Sequence, residues 1–343
     1  MAEDPDYLSR QLLTYIGNKR ALLGHIGRAV ERVKRRLGKV RLRVFDAFSG
    51  SGVVSRFLNA HSSLLISNDL EDYAAVTGRC YLRNRSTIDL PAISRVVADL
   101  NARVTTEPMP PGFIEELYAP RDENRITRED RVFYTKTNAR RLDSFRRLID
   151  TAPREMKDLL LGPLLSAASI HANTAGVFKG FYRNRETGLG QFGGSGSDAL
   201  FRILGEIRLE VPVLSNFECE HEVLHEDANA VARRLRGLDL AYIDPPYNQH
   251  PYGSNYFMLN LLVRYDRPQH ISRVSGIPTD WRPFLLISFN NEGFISPHEM
   301  RSLLDTMGAL DVVETPYNAF RGSRNLNNRA IHVTEQLFLV ERR

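Results

Sequence analysis

LRVFDAFSGSG, residues 42–52, decides the fold. Its first part is a short apolar run of strand length, rich in branched and aromatic residues. A tight glycine turn follows, and a helix begins at about Val53. Gly50 and Gly52 let the backbone approach a ligand closely, and open α/β sheets bind ligands beyond the carboxyl ends of their strands. The full dinucleotide fingerprint G-x-G-x-x-G is absent, because Ser55 stands where its third glycine would be. Taken alone, the motif reads equally well as a tight turn with no ligand.

Four further runs have the same character: LLISNDL at 64–70, LDLAYID at 238–244, FLLISFN at 284–290 and HVTEQLFLV at 332–340. Helix-like stretches lie between them, for example at 20–37 and 52–60. Strand and helix in alternation predict an α/β fold, with a mostly parallel sheet covered on both faces. About 165 residues separate the second run from the third, far more than a crossover needs. Residues 89–205 are therefore expected to form an inserted, mainly helical domain, with the core built from 1–88 and 206–343. Within the insert, GLGQFGGSGSDAL at 188–200 is expected to be mobile until something orders it.

The bulk properties set limits. The chain has 343 residues, 42% of them hydrophobic and 25% charged, as in an ordinary globular protein. No apolar run approaches the roughly 20 residues of a membrane helix, and the start MAEDPDYLSR lacks a secretory pattern. A cytoplasmic, non-membrane protein is the expectation. Cys80 and Cys219, the two cysteines, make neither a disulfide framework nor a four-cysteine zinc site and read as buried thiols. The net charge of +5 is clustered, in RAVERVKRRLGKVRLR at 28–43 and in a second basic stretch at 125–148. Such runs attract polyanions, or else are solvated helix faces.

Two acidic positions carry chemistry. Asp69 ends the strand run at 64–70, about 20 residues past the glycine turn. An acid there can accept hydrogen bonds from both hydroxyls of a ribose; the alternative is a helix N-cap. LAYIDPPYNQ at 240–249 then places Asp-Pro-Pro-Tyr at the end of a strand. The exocyclic amine of adenine is a poor nucleophile because its lone pair is delocalised into the ring. Two fixed acceptors drawing on its N–H bonds would free that lone pair. Asp244 supplies a carboxylate and Pro245 a carbonyl, held in place because Pro245 and Pro246 stiffen the backbone. Tyr247 offers a ring on which a flipped-out base can stack.

Several motifs together carry a family resemblance. YIGNKR (15–20), FSGSG (48–52), ND (68–69), HEDA (225–228) and DPPYN (244–248) occur in the order of the adenine-N6-specific DNA methyltransferases of the Dam and FokI-methylase (D12, alpha) group. YGSNYFMLN (252–260), SFNNEGF (288–294) and FRGSRNLNNR (320–329) resemble the FokI-type modification enzymes in particular, as do NARRLDSFR (138–146) and ANTAGVFKGFY (172–182). The resemblance implies a Rossmann-like class I methyltransferase with a mixed seven-stranded sheet, whose last two strands form an antiparallel hairpin, and with residues 89–205 as the target-recognition domain. It implies S-adenosyl-L-methionine as cofactor, bound by Tyr15, Gly17, Lys19, Phe48, Ser49, Gly50, Gly52, Asp69, Asp227, Ala228 and Asp244. Tyr15, Gly17 and Lys19 would close over its methionine end, with Lys19 near the carboxylate. Asp227 would bond its adenine amine. Asp244, Pro245, Pro246 and Tyr247 would be catalytic. His250 and Pro251 depart from the pattern, where an Arg–Gln-like pair is expected, while Asn255 and Tyr256 keep it.

Double-stranded DNA is the expected partner. Lys179, Tyr182, Arg183 and Arg185 form a basic, aromatic cluster before the glycine-rich segment, able to read base edges or to clamp phosphates. Asn255, Tyr256, Arg321, Arg324 and Arg329 are further nucleic-acid candidates. A restriction–modification setting would add a cognate endonuclease as partner, and a monomer is expected. RNA adenine is the alternative substrate, since the catalytic loop sees only a flipped base. A fold-retaining binding protein and a cytosine-N4 enzyme fit the intact motifs less well. His221, Glu222 and His225 spell H-E-x-x-H, the zinc-peptidase signature, which requires a helix. Phe217, Cys219 and Val223 alternate as in a strand, so no metal is expected.

Overall fold

The computed structural model describes residues 2–107, 109–194, 197–245, 252–278, 284–290, 296–305, 308–318 and 332–342. Four parallel strands, β1 (Leu42–Asp46), β2 (Ser62–Asn68), β3 (Glu220–Leu224) and β4 (Leu240–Tyr242), lie in the order β3-β2-β1-β4. Three more, β5 (Phe284–Asn290), β6 (Gly308–Asn318) and β7 (His332–Arg342), form an antiparallel sheet in the order β5-β7-β6. The two central strands, β1 and β2, read as near-continuous apolar runs because they are covered on both faces. In β1 only Arg43 is exposed, and in β2 only Ser63.

The helices run in chain order as follows. α1 (Pro5–Ser9) and α2 (Leu23–Leu37) precede β1, α3 (Val53–Asn59) links β1 to β2, and α4 (Asp72–Tyr81) leaves β2. Residues 89–205 carry α5 (Leu90–Thr106), α6 (Phe113–Tyr118), α7 (Lys136–Asp150), α8 (Arg154–Ile170) and α9 (Ser197–Leu204). α10 (Ala228–Arg234) joins β3 to β4, and α11 (Tyr252–Asn255), α12 (Phe257–Arg264) and α13 (Pro297–Asp305) follow. The chain divides into two compact units, Met1–Arg267 with Ser272–Ile277, and Pro268–Ile271 with Pro278–Arg343. No helix among the described residues is long and apolar enough to cross a membrane.

Burial explains why the parallel sheet holds its shape. On one face Val30 of α2 and Val53, Val54 and Leu58 of α3 pack with Leu42, Val44 and Leu65. On the other, Val231 of α10 packs with Phe45, Ala47, Leu64 and Ile66. Each of the Val, Leu, Ile and Phe side chains among them, withdrawn from water, contributes about 1.5–3 kcal/mol. α8 lies tightly along α4: a Cβ at Gly162 would stand 2.6 Å from Cys80 Sγ, so only glycine allows that approach. Cys80 and Cys219 are both buried and free.

Two expectations are corrected here. In the second basic stretch, at 125–148, Arg125 and Arg128 are exposed, but the arginines along α7 form neither a polyanion-facing surface nor a solvated face. Arg141 and Arg146 are buried, and their Nε atoms donate to the carbonyls of Ile207 and Leu262 at 2.6 and 2.8 Å. Arg140 grips Glu115 through two hydrogen bonds of 2.6 and 2.7 Å, and Arg147 donates to Pro110 O at 2.7 Å. The guanidiniums of Arg141, Arg146 and Arg147 serve as long-reach donors to backbone carbonyls. The glycine-rich segment, expected to be mobile, is pinned through 189–193. Gln191 N donates to Tyr182 O at 3.0 Å, and Gly193 N to the buried Asn173 Oδ1 at 2.9 Å.

Candidate active site at the strand ends

All the site residues described lie in the first compact unit, where parallel pairing brings four strand ends together. Asp46 is in register with Tyr242, and Ala47 N donates to Tyr242 O at 3.0 Å. The glycine turn after β1 and Asp244 after β4 therefore leave the sheet side by side. On the other flank Ser49 N donates to Asn68 O at 2.9 Å, so Asp69 emerges next to the same turn. The turn closes through Gly52 N donating to Ser49 O at 2.8 Å. Gly50 and Gly52 have φ of 51° and 74°, which explains why glycine occupies both.

Asp69 caps no helix, since Glu71 is the N-cap of α4. Its Oδ2 accepts from Gly50 N at 2.7 Å and its Oδ1 from Glu71 N at 3.0 Å. Burial pushes its carboxyl above the usual range, against the pull of the N–H groups of Gly50, Glu71 and Leu70. Each oxygen keeps a further lone pair for another donor. Phe48 and Ser49 are half-buried.

The segment 15–19 covers the turn. The Tyr15 ring sits so close that a Cβ at Gly50 would stand 2.9 Å from its Oη. Tyr15 stacks on Tyr256 at 4.6 Å with 13° between planes, meets the Tyr252 ring at 5.5 Å, and contacts Tyr73 Oη through its own hydroxyl at 3.1 Å. Burial pushes the Tyr15 phenol well up, and the nearby Asp69 charge adds to it. Gly17 takes a φ of 72°. Lys19 Nζ donates to Gly17 O at 3.0 Å and forms an ion pair with Asp244 Oδ2 at 2.7 Å. The resemblance implied Lys19 near the cofactor's carboxylate; the structure adds a contact to the catalytic candidate itself.

Beneath the turn sits Asp46, which sequence reasoning passed over. It is fully buried, with Ser55 Oγ donating to Oδ2 at 2.6 Å and Ser67 Oγ 3.0 Å from Ser55 Oγ. Burial raises its carboxyl to about 7, opposed by hydrogen bonds from Ser55 and Phe48 N, with the charges of Asp69 and Asp244 raising it further. Tyr73 and Tyr252 were also missed. The spacing of Tyr252 and Tyr256, i and i+4, was the available signal.

Other candidates fall in different places. Asp227 is exposed and caps α10, its Oδ1 accepting from Ala230 N at 2.9 Å, with Ala228 the first helical residue. Asn68 ties that loop to β2 by donating to Glu226 O at 3.0 Å. Asp244 is half-buried and Pro245 exposed; Pro246 and Tyr247 lie outside the described residues, as do Arg321, Arg324 and Arg329. Asn255 and Tyr256, expected at the nucleic acid, lie inside the fold. Both are buried, Tyr256 Oη accepting from Ile16 N at 2.7 Å and Asn255 O from Phe178 N at 2.7 Å. These bonds tie them to the segments at 15–19 and 178. Lys179, Arg183 and Arg185 are exposed and Tyr182 half-buried, on a hairpin where Arg183 bridges to Gly190 and lies 4.4 Å over the Phe181 ring. His221 and Glu222 lie on β3, not a helix, and no metal-binding group of His, Cys, Asp and Glu occurs among the described residues.

The donor set fits a cofactor with a ribose, a cationic centre and an amino-acid end. A carboxylate with free lone pairs stands at the turn, a tyrosine ring lies over it, and a lysine and an aspartate flank it.

The model of the D12 class N6 adenine-specific DNA methyltransferase family matches residues 15–275. The chain is similar to Type II methyltransferase M.NlaIII of Neisseria lactamica, at 27% identity over 96% of this chain and 99% of that protein. It is 25% identical to Type II methyltransferase M.CviAII of Paramecium bursaria Chlorella virus 1, over 95% of this chain and 97% of that protein. With Type II methyltransferase M.FokI of Planomicrobium okeanokoites it shares 22% identity over 96% of this chain, spanning only 53% of that longer protein. With the family matched across most of its length and the glycine turn, Asp69 and Asp244 gathered at one sheet end, the chain belongs to the D12 class of N6 adenine-specific DNA methyltransferases.

Proposed function

We propose that Asp244 and its neighbours act on a flipped-out adenine of duplex DNA, within a short recognition sequence, as the modification partner of a cognate restriction endonuclease. The observation that carries the reading is the convergence of the glycine turn, Asp69, Lys19 and Asp244 at the adjacent ends of β1, β2 and β4. The names of the relatives, type II methyltransferases and modification methylases, support the restriction–modification setting.

S-adenosyl-L-methionine supplies a methyl group already activated on a sulfonium. The protein's work is then positioning. Asp69 accepts from ribose hydroxyls, Tyr15 and Gly17 cover the amino-acid end, and Phe48, Ser49, Gly50 and Gly52 let the backbone come close. Asp227, with Ala228, accepts from the cofactor's adenine amine. Asp244 and the Pro245 carbonyl accept the two N–H bonds of the target amine, which localises its lone pair, while Lys19 holds the carboxylate in place. Pro246 stiffens the loop and Tyr247 stacks on the base, offsetting the few kcal/mol that flipping costs. Residues 89–205 serve as the target-recognition domain, with Lys179, Tyr182, Arg183 and Arg185 at the DNA and Arg321, Arg324 and Arg329 on phosphates. Residues 1–88 and 206–343 form the catalytic domain. A mixed seven-stranded sheet, as the resemblance implies, belongs to this reading. The enzyme works in the cytoplasm as a monomer.

The test is transfer of a labelled methyl group from S-adenosyl-L-methionine to duplex DNA in competition with RNA of the same sequence. Label is expected in DNA adenine; label in RNA alone would give the reading to the RNA alternative.

A further inference from the structure

The two basic runs of the sequence have opposite fates. The arginines of α7 are consumed internally, by Glu115, Glu206, Asp150 and backbone carbonyls. Those of α2 are not. Arg28, Arg32, Arg35 and Arg36 are all exposed. The single acid of that helix, Glu31, is held by Lys34 at 2.9 Å. Arg28 contacts His25, and Arg35 the carbonyl of Glu31. Among the described residues none of the four has a carboxylate partner.

Their spacing makes them one surface. At 100° per residue, positions 28, 32, 35 and 36 fall within an arc of about 100°, opposite the face of Ile26, Val30 and Val33 that packs on the sheet. They span about 12 Å of helix. Like charges at i and i+4 destabilise a helix, so Arg28, Arg32 and Arg36 together are a feature the isolated helix does not favour. The helix runs to the amino-terminal edge of the parallel sheet. Lys34 Nζ there contacts His61 at 2.9 Å, and His61 O accepts from Leu42 N at 3.0 Å, at the start of β1. Lys39 is neutralised by Asp239 at 2.7 Å, while the exposed Arg43, whose Nε donates to Gly237 O at 2.9 Å, places a further cation near the start of β4. That edge is the opposite end of the strands from Asp244.

We propose that the exposed arginine stripe of α2 is a second, sequence-independent site for the phosphate backbone of duplex DNA, remote from the target base. Charge complementarity selects a polyanion, and the exposed guanidiniums make the bidentate phosphate contacts that a single acidic side chain would not need. The inference rests on duplex DNA being the substrate. The stripe engages DNA flanking the recognition site, or a second segment, and so adds affinity and residence without adding sequence preference.

The test uses the full chain and a 60-base-pair duplex, with binding measured from 50 to 300 mM KCl. The triple variant Arg28→Gln, Arg32→Gln, Arg36→Gln is expected to lower the slope of log K against log salt by about 2 to 3, near 0.9 for each phosphate no longer neutralised. Affinity at 50 mM KCl falls about tenfold or more, while single-turnover methylation of a saturating short duplex is unchanged. The matching Arg→Lys triple keeps the slope. If the Gln triple melts early, Arg36→Gln alone must lower the slope by about 0.9. An unchanged slope in a folded variant overturns the proposal, as does a loss of binding to poly-glutamate with DNA binding intact. If the unmodified chain methylates no duplex DNA at all, it is the reading of the substrate that fails instead.

Discussion

Lys19 Nζ stands 2.7 Å from Asp244 Oδ2, tying the segment before α2 to the end of β4, and both side chains are largely withdrawn from water at 17% and 26% exposure. Under the proposed function, the contact joins the cover of the cofactor site to the carboxylate that grips the target amine. Lys19→Met removes the cation and lets that carboxylate rotate. The rate of methyl transfer at saturating substrates should fall about 100-fold, the usual cost of misplacing a reacting group by an ångström. Cofactor affinity, read by calorimetry, should fall much less. A loss confined to cofactor affinity would put Lys19 on the cofactor's carboxylate alone.

Gly50 is fixed by two constraints at once, a φ of 51° and the Tyr15 hydroxyl 2.9 Å from where a Cβ would be. The Tyr15 ring is stacked on Tyr256 and cannot swing aside freely. Gly50→Ala should cost about 2 kcal/mol from the left-handed backbone, with crowding in addition. Urea denaturation measures this, and a variant as stable as the parent would show that the turn relaxes.

Asp46 predicts a pH dependence of stability. Its carboxyl is raised to about 7 in the folded protein, mainly by burial, against an ordinary value of 3.8. The native state therefore holds this proton more tightly than the unfolded chain. The contribution is fully present below pH about 4 and fades as pH rises, and it is lost above pH about 7, a swing on the order of 4 kcal/mol. Asp46→Asn should flatten the fall in melting temperature between pH 4 and 8. Identical profiles for the two proteins would mean that Asp46 is ionised at neutral pH.

Tyr256 separates an anchor from a DNA contact. Tyr256→Phe removes the acceptor of Ile16 N and should cost about 1 kcal/mol of stability. DNA affinity should stay within about twofold at low salt, because the ring and its stacking remain; a large drop in affinity with stability intact would restore the residue to the DNA surface.

What could be read from the chain divides along physical lines. The runs ending at Asp46 and Asn68 showed themselves because strands buried on both faces are continuous apolar segments, and the turn after β1 because two left-handed positions require glycine. Asp69 was visible by its distance from that turn. The Lys19–Asp244 pair, the stacking of Tyr15 on Tyr256 and the serines under Asp46 were not, since each joins segments that only the folded sheet brings together. Charge misled in one place. A basic run looks the same whether its guanidiniums meet water or, like those of Arg141 and Arg146, buried carbonyls.

The most direct test is to map N6-methyladenine in DNA from cells expressing the chain and, separately, its Asp244→Ala variant, with cofactor binding measured on both purified proteins. The expected result is methylated adenine at one short recurring sequence with the parent and none with the variant, while the variant still binds S-adenosyl-L-methionine. Adenine methylation that persists in the variant would contradict the role given to Asp244.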